Sequence, residues 1–184
     1  MEKKNLDWAN LDFSYRKTDK RYVSNYRNGA WDEGKLIDDD QVVISECAGV
    51  LQYSQSCFEG LKAYTTVDGR IVAFRPDMNA QRMENSAKRL EIPVFPKERF
   101  VDAVVQTVKA NAAYVPPYGS GATLYVRPYV FGSGPVIGVA PSAEYQFRIL
   151  TTPVGPYFKG GVRSLTLTVS DFDRAAPNGT GHIK

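Results

Sequence analysis

A lysine stands at position 184, in the run Gly179-Thr180-Gly181-His182-Ile183-Lys184. A lysine amine can form an imine with a carbonyl compound and can take up and return a proton. Tyr125 and Arg127 are two residues apart in Leu124-Tyr125-Val126-Arg127-Pro128, so they share one face if the segment is a strand. A tyrosine hydroxyl beside a guanidinium is suited to a carboxylate. Arg82 follows Asn79 by three residues; if Asn79 caps a helix, Arg82 lies in its first turns, where a guanidinium suits a phosphate. Each feature taken singly has a plainer reading. Arg82 is then an exposed helical arginine, Tyr125 and Arg127 a half-buried strand face, and Lys184 one of 23 basic residues. Tyr157 sits in a stretch rich in Pro and Gly, where an aromatic side chain lines a cleft or packs an interface.

Composition removes several classes of chemistry. The only histidine is His182, so catalytic triads and multi-histidine metal sites have no source. Cys47 and Cys57 are ten residues apart with no Cys-x-x-Cys pair, which cannot build a zinc site. Free thiols are favoured over a disulfide. Chemistry must then come from Lys, Tyr, Arg, Asp or Glu, or from a cofactor. The net charge is +3, and the basic residues are scattered apart from Arg16, Lys17, Lys20 and Arg21, so no nucleic-acid partner is expected. No run of about 18 apolar residues is present, so no membrane partner is expected. The polar start, MEKKNLDWANLDF, has no secretory core, and a cytoplasmic location is expected.

The elements that must position these residues read as α/β, a mixed sheet with helices. Residues 1–20 are polar and are expected to lie over the surface. Strands are expected at Tyr22–Tyr26, before a turn at Asn28-Gly29, and at Gln41–Ser45. A hairpin is expected with Gly60–Tyr64 and Arg70–Phe74 flanking Asp68-Gly69. Asn79 is expected to cap a helix with Met83, Ala87 and Leu90 on one face. A second helix starts near Pro96 or Lys97, carries Phe100, Val104, Val108 and Ala112 inward, and is ended by Pro116-Pro117. Strands follow at Ala122–Arg127 and Gln146–Leu150. The expected domains are 1–153, an interdomain linker at 154–163, and the start of a second domain at 164–184, with Leu165–Val169 as its first strand.

In order, Phe58-Glu59-Gly60-Leu61-Lys62-Ala63, Arg75-Pro76-Asp77-Met78-Asn79 with Arg82, Leu124-Tyr125-Val126-Arg127-Pro128, Pro153-Val154-Gly155-Pro156-Tyr157-Phe158 and Gly179-Thr180-Gly181-x-x-Lys184 resemble the branched-chain aminotransferases of fold type IV, which use pyridoxal 5'-phosphate (PLP). The resemblance runs over residues 11–184. It implies that Lys184 carries the cofactor and is the catalytic base, and that Arg82 holds its phosphate. Tyr53, Phe58, Tyr125, Arg127 and Tyr157 match residues around the substrate pocket, and Phe13 is matched to its lining. Val139 matches a residue that reaches into the neighbouring subunit's pocket, which implies a homodimer.

The implied reaction moves an amino group between leucine, isoleucine or valine and 2-oxoglutarate, with glutamate and 2-oxo acids as the other small-molecule partners. The family continues beyond this lysine and supplies an acidic partner for the cofactor's ring nitrogen, so 184 residues alone are expected to be inactive. Two alternatives stay open. One is another type IV enzyme, a D-amino-acid aminotransferase or an aminodeoxychorismate lyase. The other is a non-catalytic domain that dimerises or binds a partner.

Overall fold

The computed structural model describes residues 2–158, 161, 164–172 and 175–184. Its centre is an antiparallel sheet. β1 (Arg21–Arg27), β2 (Ala30–Trp31) and β3 (Lys35–Ile37) form one edge, and β4 (Ser56–Phe58), β5 (Leu61–Thr65) and β6 (Ile71–Ala73) form the other. Two long strands, β7 (Thr123–Gly132) and β8 (Tyr145–Val154), lie between them, giving the order β2-β1-β8-β7-β5-β6. The turn at Asn28-Gly29 places both residues at positive φ, 52° and 81°, the geometry that closes a two-residue hairpin. Every pairing among the described strands is antiparallel.

The short helix α1 (Gly49–Tyr53) precedes β4, and the two long helices α2 (Pro76–Arg89) and α3 (Lys97–Ala110) share one face of the sheet. They bury Met83, Ala87, Phe100, Val104 and Val108 against Ala63, Leu124, Val126, Phe147 and Ile149. Phe95 stacks on Phe147 with ring centres 3.9 Å apart. The helical periodicity expected for both helices is therefore the buried face, although Ala112 falls in a single 3-10 turn, Ala112–Tyr114, after α3 has ended.

Three local expectations are corrected and a fourth is refined. Asn79 does not cap α2, because Pro76 occupies the first turn with its φ preset and Arg75 is the residue before it, at φ 46°. Gln41–Ser45 forms no strand, since β2 and β3 already occupy the outer side of β1, and Val43 is left 92% exposed. Leu165–Val169 forms no strand either; no described strand pairs with it, and its apolar side chains are exposed. The N-terminal residues do lie along the surface, but Leu11 and Thr18 are buried and pin them. Thr18 shares a hydroxyl hydrogen bond of 2.8 Å with Thr151. Gly155 donates its N–H to the Asp12 carbonyl, and a Cβ on Gly155 would fall 1.9 Å from the Leu11 carbonyl oxygen, so only glycine permits this crossing. Of the expected linker, residues 159, 160, 162 and 163 lie outside the described residues.

Candidate active site

β4 and β5 are one strand interrupted by a proline opposite. Both pair with β7 in the same register, Phe58 facing Tyr129 and Leu61 facing Val126. That register sets Glu59 opposite Pro128 and Gly60 opposite Arg127. Glu59 donates its N–H to the Pro128 carbonyl at 2.7 Å, and proline has no N–H to return. Alternation then sorts the side chains. Cys57, Glu59, Leu61 and Ala63 are buried on the helix side. Phe58 and Gly60 share the opposite face with Tyr125, Arg127 and Tyr129.

On that opposite face most of the expected pocket residues meet. Arg127 donates through Nε and Nη2 to the Tyr125 hydroxyl at 3.1 and 2.9 Å. Its guanidinium carbon lies 4.5 Å from the centre of the Phe58 ring. The Lys184 amine lies 5.0 Å from the same ring centre. Phe13 meets Tyr125 and Tyr157 edge-on, with ring centres 5.4 and 6.3 Å apart. A Cβ on Gly60 would stand 2.6 Å from the Tyr125 hydroxyl, so glycine keeps that hydroxyl in place. A cleft of about 410 Å³ opens beside this group, lined by Val42, Phe58, Arg127, Tyr129, Phe131 and Leu150.

Lys184 is held by its backbone. Its N–H donates to the Ser86 hydroxyl at 3.2 Å, and its carbonyl accepts from the Phe58 N–H at 3.2 Å. Ser86 lies one turn after Arg82 on the same face of α2. Arg82 itself sits in the second turn of α2, past the reach of the helix's positive end. It is paired with Glu59 instead: Nε donates to Oε1 and Nη2 to Oε2, each at 2.6 Å. Asn79 donates to Glu59 Oε2 at 2.8 Å. The Glu59 carboxylate raises the Arg82 pKa above its ordinary value. Burial, and then the charge of Glu59, push the Cys57 thiol up to about 12.

Tyr53 and Val139 are placed on a protrusion made by α1 and the loop 133–144. The Tyr53 hydroxyl donates to the Ile137 carbonyl of that loop, and Val139 is 95% exposed, touching almost nothing of its own chain. The sequence assigns no site role to Glu59, to Gly60 beyond its strand, to Asn79 beyond a helix cap, or to Ser86. The signal for Glu59 was present: a carboxylate in phase with Cys57, Leu61 and Ala63 is on a buried face.

No protein-family model matches the chain. It is 51% identical over 181 residues to the branched-chain-amino-acid aminotransferase of Haemophilus influenzae, covering 98% of this chain and 53% of that protein. The solved branched-chain amino acid aminotransferase of Escherichia coli is similar at 26% identity and a TM-score of 0.67, over 88% of this chain and 49% of that one. The branched-chain aminotransferase of the thermophilic archaeon Thermoproteus uzoniensis, solved with norvaline, is similar at 27% identity and a TM-score of 0.59, over 77% of this chain and 43% of that one. The chain spans about half the length of the curated relatives it matches.

Proposed function

We propose that this chain supplies the lysine, the phosphate arginine and the substrate face of a PLP-dependent branched-chain aminotransferase. The observation that carries the reading is the docking of Lys184 between Phe58 and Ser86, one helical turn from Arg82. The groups present suit the cofactor: an amine for its aldehyde, and a half-exposed guanidinium with N–H groups that no other described residue takes up for its phosphate. When bound, PLP supplies a ring that accepts the negative charge left on the substrate's α-carbon. The Lys184 Nζ takes the proton from that carbon and returns a proton during reprotonation. Phe58 and the rings of Tyr125, Tyr157 and Phe13 enclose an aliphatic side chain and exclude water. Arg127 and the Tyr125 hydroxyl receive the second carboxylate of glutamate or 2-oxoglutarate when that partner occupies the same pocket. The resemblance at 51% identity supports this reading over another type IV enzyme or a binding module.

The proposal includes a division into a body through about residue 153, a linker to 163 and the start of a cofactor-binding domain from 164. It also includes a homodimer in which the exposed protrusion bearing Val139 reaches a neighbouring subunit's pocket. The test is leucine-dependent formation of glutamate from 2-oxoglutarate by the protein as expressed from its own gene. Lys184→Ala should abolish it. Arg127→Ala should slow the glutamate half-reaction about a hundredfold and the leucine half-reaction less than about tenfold. Equal slowing of both would remove the dual use of Arg127, and no transfer from any branched-chain amino acid would remove the function itself.

A further inference from the structure

Glu59 has no exposed surface, and a buried carboxylate needs partners for both its charge and its lone pairs. It has three side-chain donors: Arg82 Nε and Nη2 at 2.6 Å each and Asn79 Nδ2 at 2.8 Å. Its own backbone is fixed by the bond to Pro128 across the sheet. The pairing with Arg82 is side-on. It uses the Nε hydrogen and one hydrogen of Nη2, so among the described residues three N–H bonds remain, and one from Nη1 and one from Nη2 point together off the end edge of the guanidinium. That edge is a fork of two parallel N–H bonds, the geometry that fits a phosphate. The Arg82 side chain is 52% exposed, so the edge is open to a ligand while the rear is gripped by a group with 0% exposure. An arginine of this length on a helix surface otherwise samples many rotamers. A rigid carboxylate behind it holds the guanidinium in one plane.

We propose that Glu59 is a positioning residue for the cofactor's phosphate, acting through Arg82, with Asn79 backing the carboxylate. This rests on the reading of Arg82 as the phosphate arginine. Positioning and simple charge predict opposite signs. A carboxylate near a phosphate repels it, so if charge alone mattered, neutralising Glu59 would tighten binding. If Glu59 sets the arginine's plane, neutralising it loosens binding.

The experiment uses the protein as expressed from its own gene, freed of cofactor, and compares equilibrium affinities for PLP and for pyridoxal, which lacks the phosphate. The ratio of the two isolates the phosphate contact. Arg82→Lys should lower the ratio; a ratio it leaves unmoved overturns the phosphate reading and the proposal with it. Glu59→Gln should lower the ratio about tenfold, since one good bond to Arg82 is replaced by opposed donors. Asn79→Ala should lower it about threefold while keeping both charges. The double variant of Glu59→Gln and Arg82→Lys should lose no more than Arg82→Lys alone. If Arg82→Lys lowers the ratio but Glu59→Gln leaves it unchanged or raises it, the positioning role is overturned and the phosphate reading stands. Should Glu59→Gln fail to fold, Asn79→Ala decides, a wild-type ratio there overturning the proposal.

Discussion

Cys57 and Glu59 share the buried face of one strand, and the carboxylate changes what the thiol can do. The thiol is pushed up to about 12, first by burial and then by the neighbouring carboxylate, so the reactive thiolate is scarce at ordinary pH. Cys47 is also free but only partly buried. A thiol-alkylating reagent at about pH 8 should therefore modify Cys47 and spare Cys57, as read by peptide mass mapping. Equal labelling of the two would mean that β4 is not packed against the helices as described. The pairing of Tyr125 with Arg127 was legible because two-residue spacing on a strand fixes a shared face. The partner of Arg82 was harder to read, because a helical arginine gives no sign of which strand it will meet. Only the phase of Glu59 among apolar neighbours hinted that a charge was being taken inside.

Elements were legible where pattern and packing coincide. The turn at Asn28-Gly29 and the apolar faces of α2 and α3 needed no tertiary knowledge beyond a core to bury them. Pro128 blurred the sheet, since a proline in a long strand reads as an end, yet here it only removes the return bond to Glu59. Gln41–Ser45 misled because β-branched residues suggest a strand, while pairing depends on a free edge that β2 and β3 had taken. That segment instead meets the N-terminal residues through Asp40. Lys17 donates to Asp40 at 2.7 Å and Tyr15 at 3.2 Å. The hydrogen bond from Lys17 foremost, with one from Gln41 and the charge of Lys17, lowers the Asp40 pKa to about 2. The ordinary value is about 3.9, so the clamp contributes fully above that pH and is lost as pH falls through about 2. An NMR titration of the Asp40 carboxyl should show a midpoint near 2, moving toward about 4 in Lys17→Ala. A wild-type midpoint already near the ordinary value would contradict the clamp.

At the scale of the molecule, the sheet divides labour between its faces. One carries the helices and the core, and the other presents Phe58, Tyr125 and Arg127 with Lys184 beside them. The protrusion stands outside this division, with Leu51, Tyr53, Ile137 and Val139 exposed together. Apolar side chains gathered at one projecting site suit burial against another subunit. Sedimentation of the protein as expressed from its own gene should give a dimer, and Ile137→Asp with Val139→Asp should shift it toward monomer. A fully active monomer would contradict the shared pocket. The central claim is that Lys184 carries the cofactor beside Arg82. Its most direct test is borohydride reduction of that protein, followed by peptide mass analysis. The account predicts a stable pyridoxyl group on Lys184 and on no other lysine. Reduction that leaves Lys184 unmodified, or places the group elsewhere, would contradict it.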